Sequence, residues 1–269
     1  MKDRVSISIE NGVADVRMVR ADKMNALDPA MFAALVEAGE TLRGDRSVRA
    51  AVLSGVGRAF CAGLDTESIQ NILQGDGSLR TSIVAPSPRS PLGANMLQQA
   101  AMIWREIEIP VIAAVHGSAF GGGFQLALGA DMRFLTPDVK MAVMEIRWGL
   151  VPDMGGIALL RSLVRDDVAR DLTYSGRIIN GEEAVRLGVA TRVCADPLSE
   201  ALAYANDIAG RNPHAVRGAK RLFNLSAALA SQTAILMQES VEQGALIGSP
   251  NQKEAIAANL EKRAPKFED

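Results

Sequence analysis

Cysteine and histidine are scarce in this chain of 269 residues, which contains two of each. Cys61 and Cys194 cannot build a disulfide framework, and without additional ligands they cannot form a zinc site. We therefore expect no metal, and a reducing compartment, the cytoplasm, for such a protein. Basic and acidic residues nearly balance, with a formal net charge of -2 at pH 7, so the composition does not indicate nucleic-acid binding.

Long uncharged segments are also rare, and residues 111–130 form the longest one without Asp, Glu, Lys or Arg. Its length would suit a membrane-spanning helix, but five glycines, a histidine and a glutamine interrupt it. A buried strand, a glycine turn and a helix explain it better. Scattered Lys and Arg also argue against binding to a membrane surface, and the charged residues 1–4 do not begin a signal peptide.

Strand and helix patterns alternate along most of the chain. Residues 5–9 and 13–18 alternate apolar and polar side chains on either side of Asn11-Gly12, which predicts a β-hairpin. Asp28-Pro29 is typical of a helix start, with an N-cap followed by proline at the first position. Further strands are predicted at residues 50–53, 111–115, 132–135, 139–144 and 189–193, and further helices at residues 97–107, 157–164, 168–174 and 182–187.

The alternation of strands and helices indicates an α/β fold with parallel strand pairing. From residue 197 onward the pattern is helical only. We therefore predict a mixed core at residues 1–196 and a helical region at residues 197–269. Residues 75–93 are rich in proline, serine and glycine, and we predict a long loop there.

The most informative segment is HGSAFGGGFQLA, residues 116–127. Its three consecutive glycines, residues 121–123, lie between the strand at 111–115 and a helix expected to begin near Phe124. Glycine has no Cβ, and the first N–H groups of a helix have no internal partner, so backbone donors can face a ligand there. Such a place can bind an anion or a carbonyl oxygen on which negative charge develops. Tight packing of strand against helix is the alternative.

Two other motifs are incomplete, and one histidine is better explained by a structural role. Residues 54–60 begin like a dinucleotide-binding fingerprint, but Phe60 stands where the third glycine is required. His116 and Phe120 occupy the two glycine positions of a nucleophile elbow around Ser118. His116 lies at a strand end, where we expect a structural histidine and not a general base.

Two carboxylates are candidates for proton transfer. Glu145 lies among apolar residues, where loss of hydration would raise its pKa towards a useful value. The alternative is a surface glutamate paired with Arg147 or Lys140. Asp153 precedes a predicted helix, and its alternative role is helix N-capping. A third carboxylate, Asp65, lies in a loop, where a turn or cap is its alternative role.

Three segments together resemble the crotonase family, the enoyl-CoA hydratases and isomerases: FCAGLD at residues 60–65, HGSAFGGGF at 116–124 and EIRWGLVPDMGG at 145–156. The similarity extends from the first hairpin to the C-terminus. It implies an α/β fold with a spiral core of repeated ββα units. It also implies a C-terminal α-helical trimerisation region, and therefore a homotrimer or a dimer of trimers.

The resemblance implies an acyl-CoA thioester as substrate, with coenzyme A as part of that substrate and no separate cofactor. The N–H groups of Leu64 and Gly122 would form an oxyanion hole, where loss of one donor typically costs about 10²–10³ in rate. The adenine would lie against residues 62–65, and the loop at 75–93 would wall the acyl pocket. The implied CoA-binding residues are Lys23, Ala62, Gly63, Leu64, Asp65 and Lys262, the last from a neighbouring subunit. For both lysines, a solvated surface position is the alternative.

The departures from the family pattern bear on the reaction. Glu145 matches the second of two glutamates with which family hydratases hold and split water. The first falls at Gln125, which cannot exchange a proton at neutral pH but can orient water or substrate. Asp153 matches an aspartate of the family's dienoyl-CoA isomerases, although those enzymes also tend to have an acid where Gln125 stands.

We therefore favour double-bond isomerisation, in which Glu145 or Asp153 removes a proton and the other carboxyl returns one to a remote carbon. Hydration of a 2-enoyl-CoA by Glu145, with a water held by Gln125, is the first alternative. A non-catalytic acyl-CoA binder is the second, and Gln125 is the feature that favours it.

Overall fold

The computed structural model of this protein describes residues 3–68, 89–227, 241, 243, 245 and 249–268, with the side chains of 259 and 260 excepted. Most of the loop predicted at residues 75–93 therefore lies outside the described residues.

A six-stranded sheet forms the centre of the described chain. Its strands are β1 (Val5–Glu10), β2 (Val13–Met18), β3 (Ala50–Gly55), β4 (Val111–Val115), β6 (Met132–Leu135) and β8 (Arg192–Val193), in the order β1-β2-β3-β4-β6-β8. The predicted hairpin of β1 and β2 is confirmed, with positive φ at both Asn11 and Gly12. Every other neighbouring pair is parallel, as the alternation of strands and helices predicted.

The first helix, α1 (Pro29–Gly44), begins where the sequence predicted it. The Asp28 carboxylate accepts a hydrogen bond from the N–H of Met31 over 2.7 Å, which satisfies one free donor of the first turn. The other α-helices whose bounds lie among the described residues are α2 (Met96–Glu106), α3 (Gly122–Gly129), α4 (Gly156–Leu160), α5 (Asp166–Ser175), α6 (Gly181–Leu187), α7 (Pro197–Ala209), α8 (Pro213–Ala227) and α9 (Pro250–Glu261).

Both faces of the main sheet are buried. On β3, Ala51 and Leu53 belong to a large apolar cluster that includes residues of α1, α2 and α3, whereas Val52 faces a second cluster. In that second cluster the small residues Ala201 and Ala205 of α7 pack against the sheet. The division predicted at residue 196 stays a prediction, and α7, just after it, covers one face of the core.

A second, small sheet was missed by the sequence analysis. Its strand β5 (Ser118–Phe120) lies within the segment 116–127, just before the three glycines, and pairs in parallel with β7 (Lys140–Ala142). Three-residue strands are too short to show an alternating pattern, so their pairing is decided by tertiary contacts. The small sheet lies just before α3, which begins at Gly122, two residues before Phe124 and close to the predicted start.

Several predicted elements are shorter in the structure. The strand expected at 139–144 ends at Ala142, and Glu145–Trp148 form a 3-10 helix instead. The strand at 189–193 is reduced to β8, and the helix at 157–164 to α4. Apolar runs alone do not specify where an element ends. The uncharged segment 111–130 forms β4, β5 and α3, and none of the described helices has both the length and the apolar character of a membrane span.

Candidate active site

The loop of residues 61–65 runs beside β5 and reaches the start of α3. The N–H of Phe120 donates to the carbonyl oxygen of Cys61 over 3.1 Å. A Cβ placed on Gly63 would lie 2.6 Å from the Phe120 oxygen and 3.8 Å from the Gly122 nitrogen. The backbones approach so closely that no side chain fits at Gly63, and this close approach brings the loop next to Gly122.

Leu64 and Gly122 both present a main-chain N–H at this junction. The N–H of Leu27 donates to Gly63 over 2.8 Å, and the N–H of Asp65 donates to Leu27 over 3.1 Å. Because successive residues of an extended strand face opposite sides, the N–H of Leu64, between them, points away from Leu27. Gly122 is the first residue of α3, where an N–H has no intrahelical acceptor.

Two glycines of the run are required by their surroundings. Gly121 has φ of +52°, and a Cβ there would lie 3.2 Å from Oε1 of Glu145. A Cβ on Gly122 would lie 2.7 Å from Leu27 and 2.9 Å from the sulfur of Met154. Tight packing, one of the two alternatives for this segment, is therefore confirmed at both glycines. The binding of a ligand by their backbone donors stays a prediction.

Glu145 is buried, with 9% of its surface exposed, at the start of the 3-10 helix that follows β7. Its Oε1 accepts a hydrogen bond from Nε2 of Gln125 over 2.6 Å. Its Oε2 is buried and has no hydrogen-bond partner among the described residues. Burial raises the pKa of the carboxyl, and the nearby charge of Asp153 acts in the same direction. The alternative of a surface glutamate paired with Arg147 or Lys140 is wrong.

Gln125 is fully buried on α3 and connects Glu145 to the segment that carries Asp153. Its Oε1 accepts hydrogen bonds from the N–H groups of Met154 and Gly156, over 2.8 and 2.9 Å. Backbone N–H groups can only donate, so they fix the carbonyl end of the amide and turn the NH₂ end towards Glu145.

Asp153 lies on the connection before α4 and does not cap that helix. The N-cap position belongs to Gly155, and no side chain caps there. Although the residue is exposed, surrounding protein atoms reduce the hydration of its carboxyl, and this desolvation raises its pKa. The charge of Asp153 thus acts on Glu145, and the segment that carries Asp153 is bound to the Gln125 amide through Met154.

The residues expected at the CoA moiety differ in what their side chains do. The carboxylate of Asp65 is buried, lies 2.6 Å from the Arg20 guanidinium and accepts from the N–H of Glu67 over 2.9 Å. The Asp65 side chain therefore fixes the loop, and its main-chain N–H is bound to Leu27. Lys23 is exposed, and its neighbour Met24 accepts a hydrogen bond from the N–H of Ala62, so Lys23 lies near residues 62–65.

Lys262 is exposed at the C-terminal end of α9. Its predicted contact would come from a neighbouring subunit and stays a prediction. Nε2 of His116 lies 2.9 Å from the carbonyl oxygen of Gly57, as expected of a structural histidine. No group of three or more His, Cys, Asp or Glu in the described ranges is placed to hold a metal ion.

Sequence reasoning missed two residues that support the site. Arg20 binds Asp65, and its own N–H donates to Oδ1 of Asn25 over 2.9 Å. Asn25 is fully buried, and its Nδ2 donates to the carbonyl oxygens of Val56 and Ala59. A signal was available, because Asn25 stands alone as a polar residue in the apolar stretch MNAL.

A helix N-terminus beside two desolvated carboxyls is an arrangement that can stabilise negative charge on a carbonyl oxygen while protons move. The crystal structure of enoyl-CoA hydratase from Bacillus anthracis matches this fold with a TM-score of 0.88 and 26% identity, over 98% of each chain. The family model described as Enoyl-CoA hydratase/isomerase matches residues 8–269. This chain therefore belongs to the enoyl-CoA hydratase/isomerase family, with the crotonase fold, and is an acyl-CoA enzyme.

Relatives with different reactions are similar to this chain. The (E)-benzylidenesuccinyl-CoA hydratase of Thauera aromatica is 30% identical over 268 residues, covering 98% of each chain. The mitochondrial Delta(3,5)-Delta(2,4)-dienoyl-CoA isomerase of Mus musculus is 31% identical over 217 residues, covering 79% of this chain and 66% of the relative. The family is thus established, and these two relatives differ in the reaction that their names state.

Proposed function

We propose that this protein isomerises a double bond of an unsaturated acyl-CoA thioester, and that Glu145 and Asp153 move the proton. The observation that carries the proposal is the pair of carboxyls itself. Both have a pKa raised by desolvation, their charges interact, and one of them, Glu145, has a buried oxygen without a partner among the described residues.

The reaction begins with the thioester carbonyl oxygen bound by the N–H groups of Leu64 and Gly122. One carboxylate removes a proton from a carbon next to the unsaturated system, and the electron pair moves onto the carbonyl oxygen as an enolate. The two donors stabilise that charge, an effect worth about 10²–10³ in rate per donor. The other carboxyl, protonated at the start, gives its proton to a remote carbon, and exchange with solvent restores both groups.

The raised pKa values suit this division of roles. Two nearby carboxyls with interacting charges release their protons in two separate steps, so one is ionised while the other keeps its proton. We therefore expect a bell-shaped pH dependence, with activity lost at low pH when the base is protonated and at high pH when the acid is ionised.

Hydration is the second candidate, because relatives such as the Thauera hydratase match over nearly the whole chain. The hydrogen bonds of Gln125 make it less suited to hold the water that hydration requires. Both lone pairs of its carbonyl oxygen already accept backbone N–H groups, so only one amide hydrogen remains for a water. Such a water would have to lie between Nε2 of Gln125 and Oε2 of Glu145.

Residues 62–65, with Lys23 and Lys262, are part of the same proposal as the CoA-binding residues. So is assembly through the C-terminal helices into a trimer or a dimer of trimers. We also propose that the reaction needs no cofactor beyond the coenzyme A of the substrate.

The first prediction separates the two reactions. Purified protein is incubated with crotonyl-CoA and with a 3,5-dienoyl-CoA, and absorbance is followed. We expect isomerisation of the dienoyl-CoA, and we expect Asp153→Asn to reduce it by about 10²–10⁴-fold, the usual worth of an acid–base group. Asp138→Asn changes an exposed aspartate in a turn and should leave the rate unchanged.

Hydration of crotonyl-CoA at ordinary enzyme rates, unaffected by Asp153→Asn, would refute isomerisation by this pair. If neither substrate reacts and Glu145→Gln still binds acetyl-CoA like the unmodified protein, the chain is an acyl-CoA binder.

A further inference from the structure

Gln125 occupies the centre of the site and has no proton to exchange at neutral pH. Its amide is fully buried, and both of its ends are bound. The NH₂ end donates to Oε1 of Glu145, and the carbonyl end accepts from Met154 and Gly156. Such a side chain can act on the reaction through Glu145 without touching the substrate.

The geometry points to Gln125 as the positioning residue that makes Oε2 of Glu145 the oxygen that exchanges the proton. The inference rests on the proposed function for its assay substrate alone, because Glu145 exchanges a proton in isomerisation and in hydration.

The two carboxyl oxygens of Glu145 differ in their hydrogen-bond partners. Oε1 accepts the amide hydrogen of Gln125 over 2.6 Å, so it remains an acceptor whether the carboxyl is ionised or neutral. When Glu145 is neutral, its proton must therefore lie on Oε2. That oxygen is buried with no hydrogen-bond partner among the described residues, and a buried polar atom in this state needs a ligand or a water.

Gln125 also affects the ionisation of Glu145. Burial raises the pKa of Glu145. The main-chain N–H of Glu145 itself lowers it, and the hydrogen bond donated by Gln125 lowers it as well, because both favour the ionised form. Gln125 therefore limits the upward shift and keeps Glu145 able to accept a proton. Removing the donor should raise the pKa further.

An amide at position 125 acts differently from a carboxylate of the same shape. A carboxylate at position 125 would still accept the N–H groups of Met154 and Gly156 through one oxygen. Its other oxygen would then face Oε1 of Glu145 at hydrogen-bond distance, and two acceptors so close must share a proton. A carboxylate at position 125 would therefore add a second titrating group beside Glu145, and the two would release their protons in separate steps. Gln125 keeps the same shape and leaves Glu145 as the group that exchanges the proton.

The test compares two variants that differ at the two ends of the amide. Gln125→Met removes the bonds at both ends, whereas Gln125→Glu keeps the acceptor for Met154 and Gly156 and loses only the donor. Gln99→Met is the matched control. The Gln99 side chain is also buried, and its Nε2 donates to the Glu106 carboxylate over 2.8 Å on α2, outside the site.

The pH dependence of kcat/KM is the readout. In both Gln125 variants, we expect the limb that reports Glu145 to move to higher pH by about one unit or more. In Gln125→Met we expect kcat to fall roughly 10- to 100-fold and KM to stay within about threefold, because Gln125 acts through Glu145 and does not contact the substrate. Gln99→Met should behave like the unmodified protein.

A purely structural role predicts a different result. If Gln125→Glu keeps the original pH profile and kcat, or if the limb moves to lower pH in either variant, the inference is overturned.

A second measurement does not depend on the reaction. The carboxyl infrared band of Glu145, identified by its loss in Glu145→Gln, should titrate at higher pH in Gln125→Met than in the unmodified protein. An unchanged titration overturns the inference even if the enzyme is active. If the protein hydrates crotonyl-CoA and does not isomerise the dienoyl-CoA, the proposed function fails, and the pH profile of hydration then tests Gln125.

Discussion

At the scale of single residues, the three glycines of the run serve three contacts. Gly121 has a positive φ and lies against the carboxylate of Glu145. Gly122 supplies a free N–H where Leu27 and Met154 leave no room for a Cβ. A Cβ on Gly123 would lie 2.9 Å from that of Cys61, so this glycine lets α3 approach the loop at 61–65. The absence of a side chain at each glycine therefore allows a different close approach within the site.

Gly122→Ala should misplace the donor without removing it. The added Cβ would push against Leu27 and Met154, at 2.7 and 2.9 Å, and displacement by about 1 Å can cost about 10²-fold in rate. We expect a loss of that order in kcat/KM, measured on protein whose folding is checked by circular dichroism. Gly44→Ala is the control, because a Cβ at this end of α1 meets no atom within 4 Å. Equal activity of the two variants would contradict the crowding argument.

At the scale of elements, the loop at 61–65 is fixed by polar contacts from the segment before α1. Arg20 lies 2.6 Å from Asp65 and 3.5 Å from Asp28, the N-cap of α1. Asn25 binds the chain just before the loop through Val56 and Ala59. The loop at 61–65 has no regular structure of its own, so these contacts determine where Leu64 presents its N–H.

Asp65→Asn should loosen that loop. Removing one partner of a buried ion pair typically costs about 3–5 kcal/mol, and Asp28 still interacts with Arg20, so we expect a loss of about 1–3 kcal/mol in the free energy of unfolding. We also expect kcat/KM to fall about tenfold or more, because Leu64, the proposed oxyanion donor, directly precedes Asp65 and would be displaced with it. Urea unfolding and steady-state kinetics measure both. Asp166→Asn, which disrupts the exposed pair with Arg170, should change neither by much.

At the scale of the whole molecule, the site depends on a sheet that is covered on both faces. The strand β4 leads directly into the glycine run, and its residues Ile112 and Ala114 face α7. Ala201 and Ala205 let α7 lie close to the strands, and Arg192 packs over the Phe134 ring at 4.4 Å. The helix after residue 196 thus stabilises the strand from which the site begins.

Ala205→Leu should disturb this packing. Ala205 is fully buried between α7 and the sheet, and overpacking of a tight interface typically costs about 1–3 kcal/mol. We expect a loss of that size in the free energy of unfolding, measured by urea titration. Ala203→Leu places the same side chain on the exposed side of α7 and should change stability by less than about 0.5 kcal/mol. Similar losses in both variants would contradict the assignment of the buried face.

The elements that could be predicted are those with local signals. Asn11-Gly12 specified the hairpin, and Asp28-Pro29 specified the start of α1, because turns and helix caps depend on residues a few positions apart. The three-residue strand β5 could not be predicted, since its partner β7 lies more than 20 residues away. Distant contacts also explain why the strand predicted at 139–144 is shorter in the structure. The chain leaves the strand after Ala142, and Glu145 forms a hydrogen bond with Gln125, 20 residues away.

By itself, the sequence determined the family, the order of strands and helices, and the candidate residues Glu145, Asp153, Leu64 and Gly122, because these are carried by motifs and short-range patterns. Only the tertiary structure decided what Gln125 binds, that Asp65 is held by Arg20, and which oxygen of Glu145 is without a protein partner among the described residues. Those features join residues 20 to 45 positions apart, and hydrogen bonding over such separations is set by how elements pack and leaves no periodic trace along the chain.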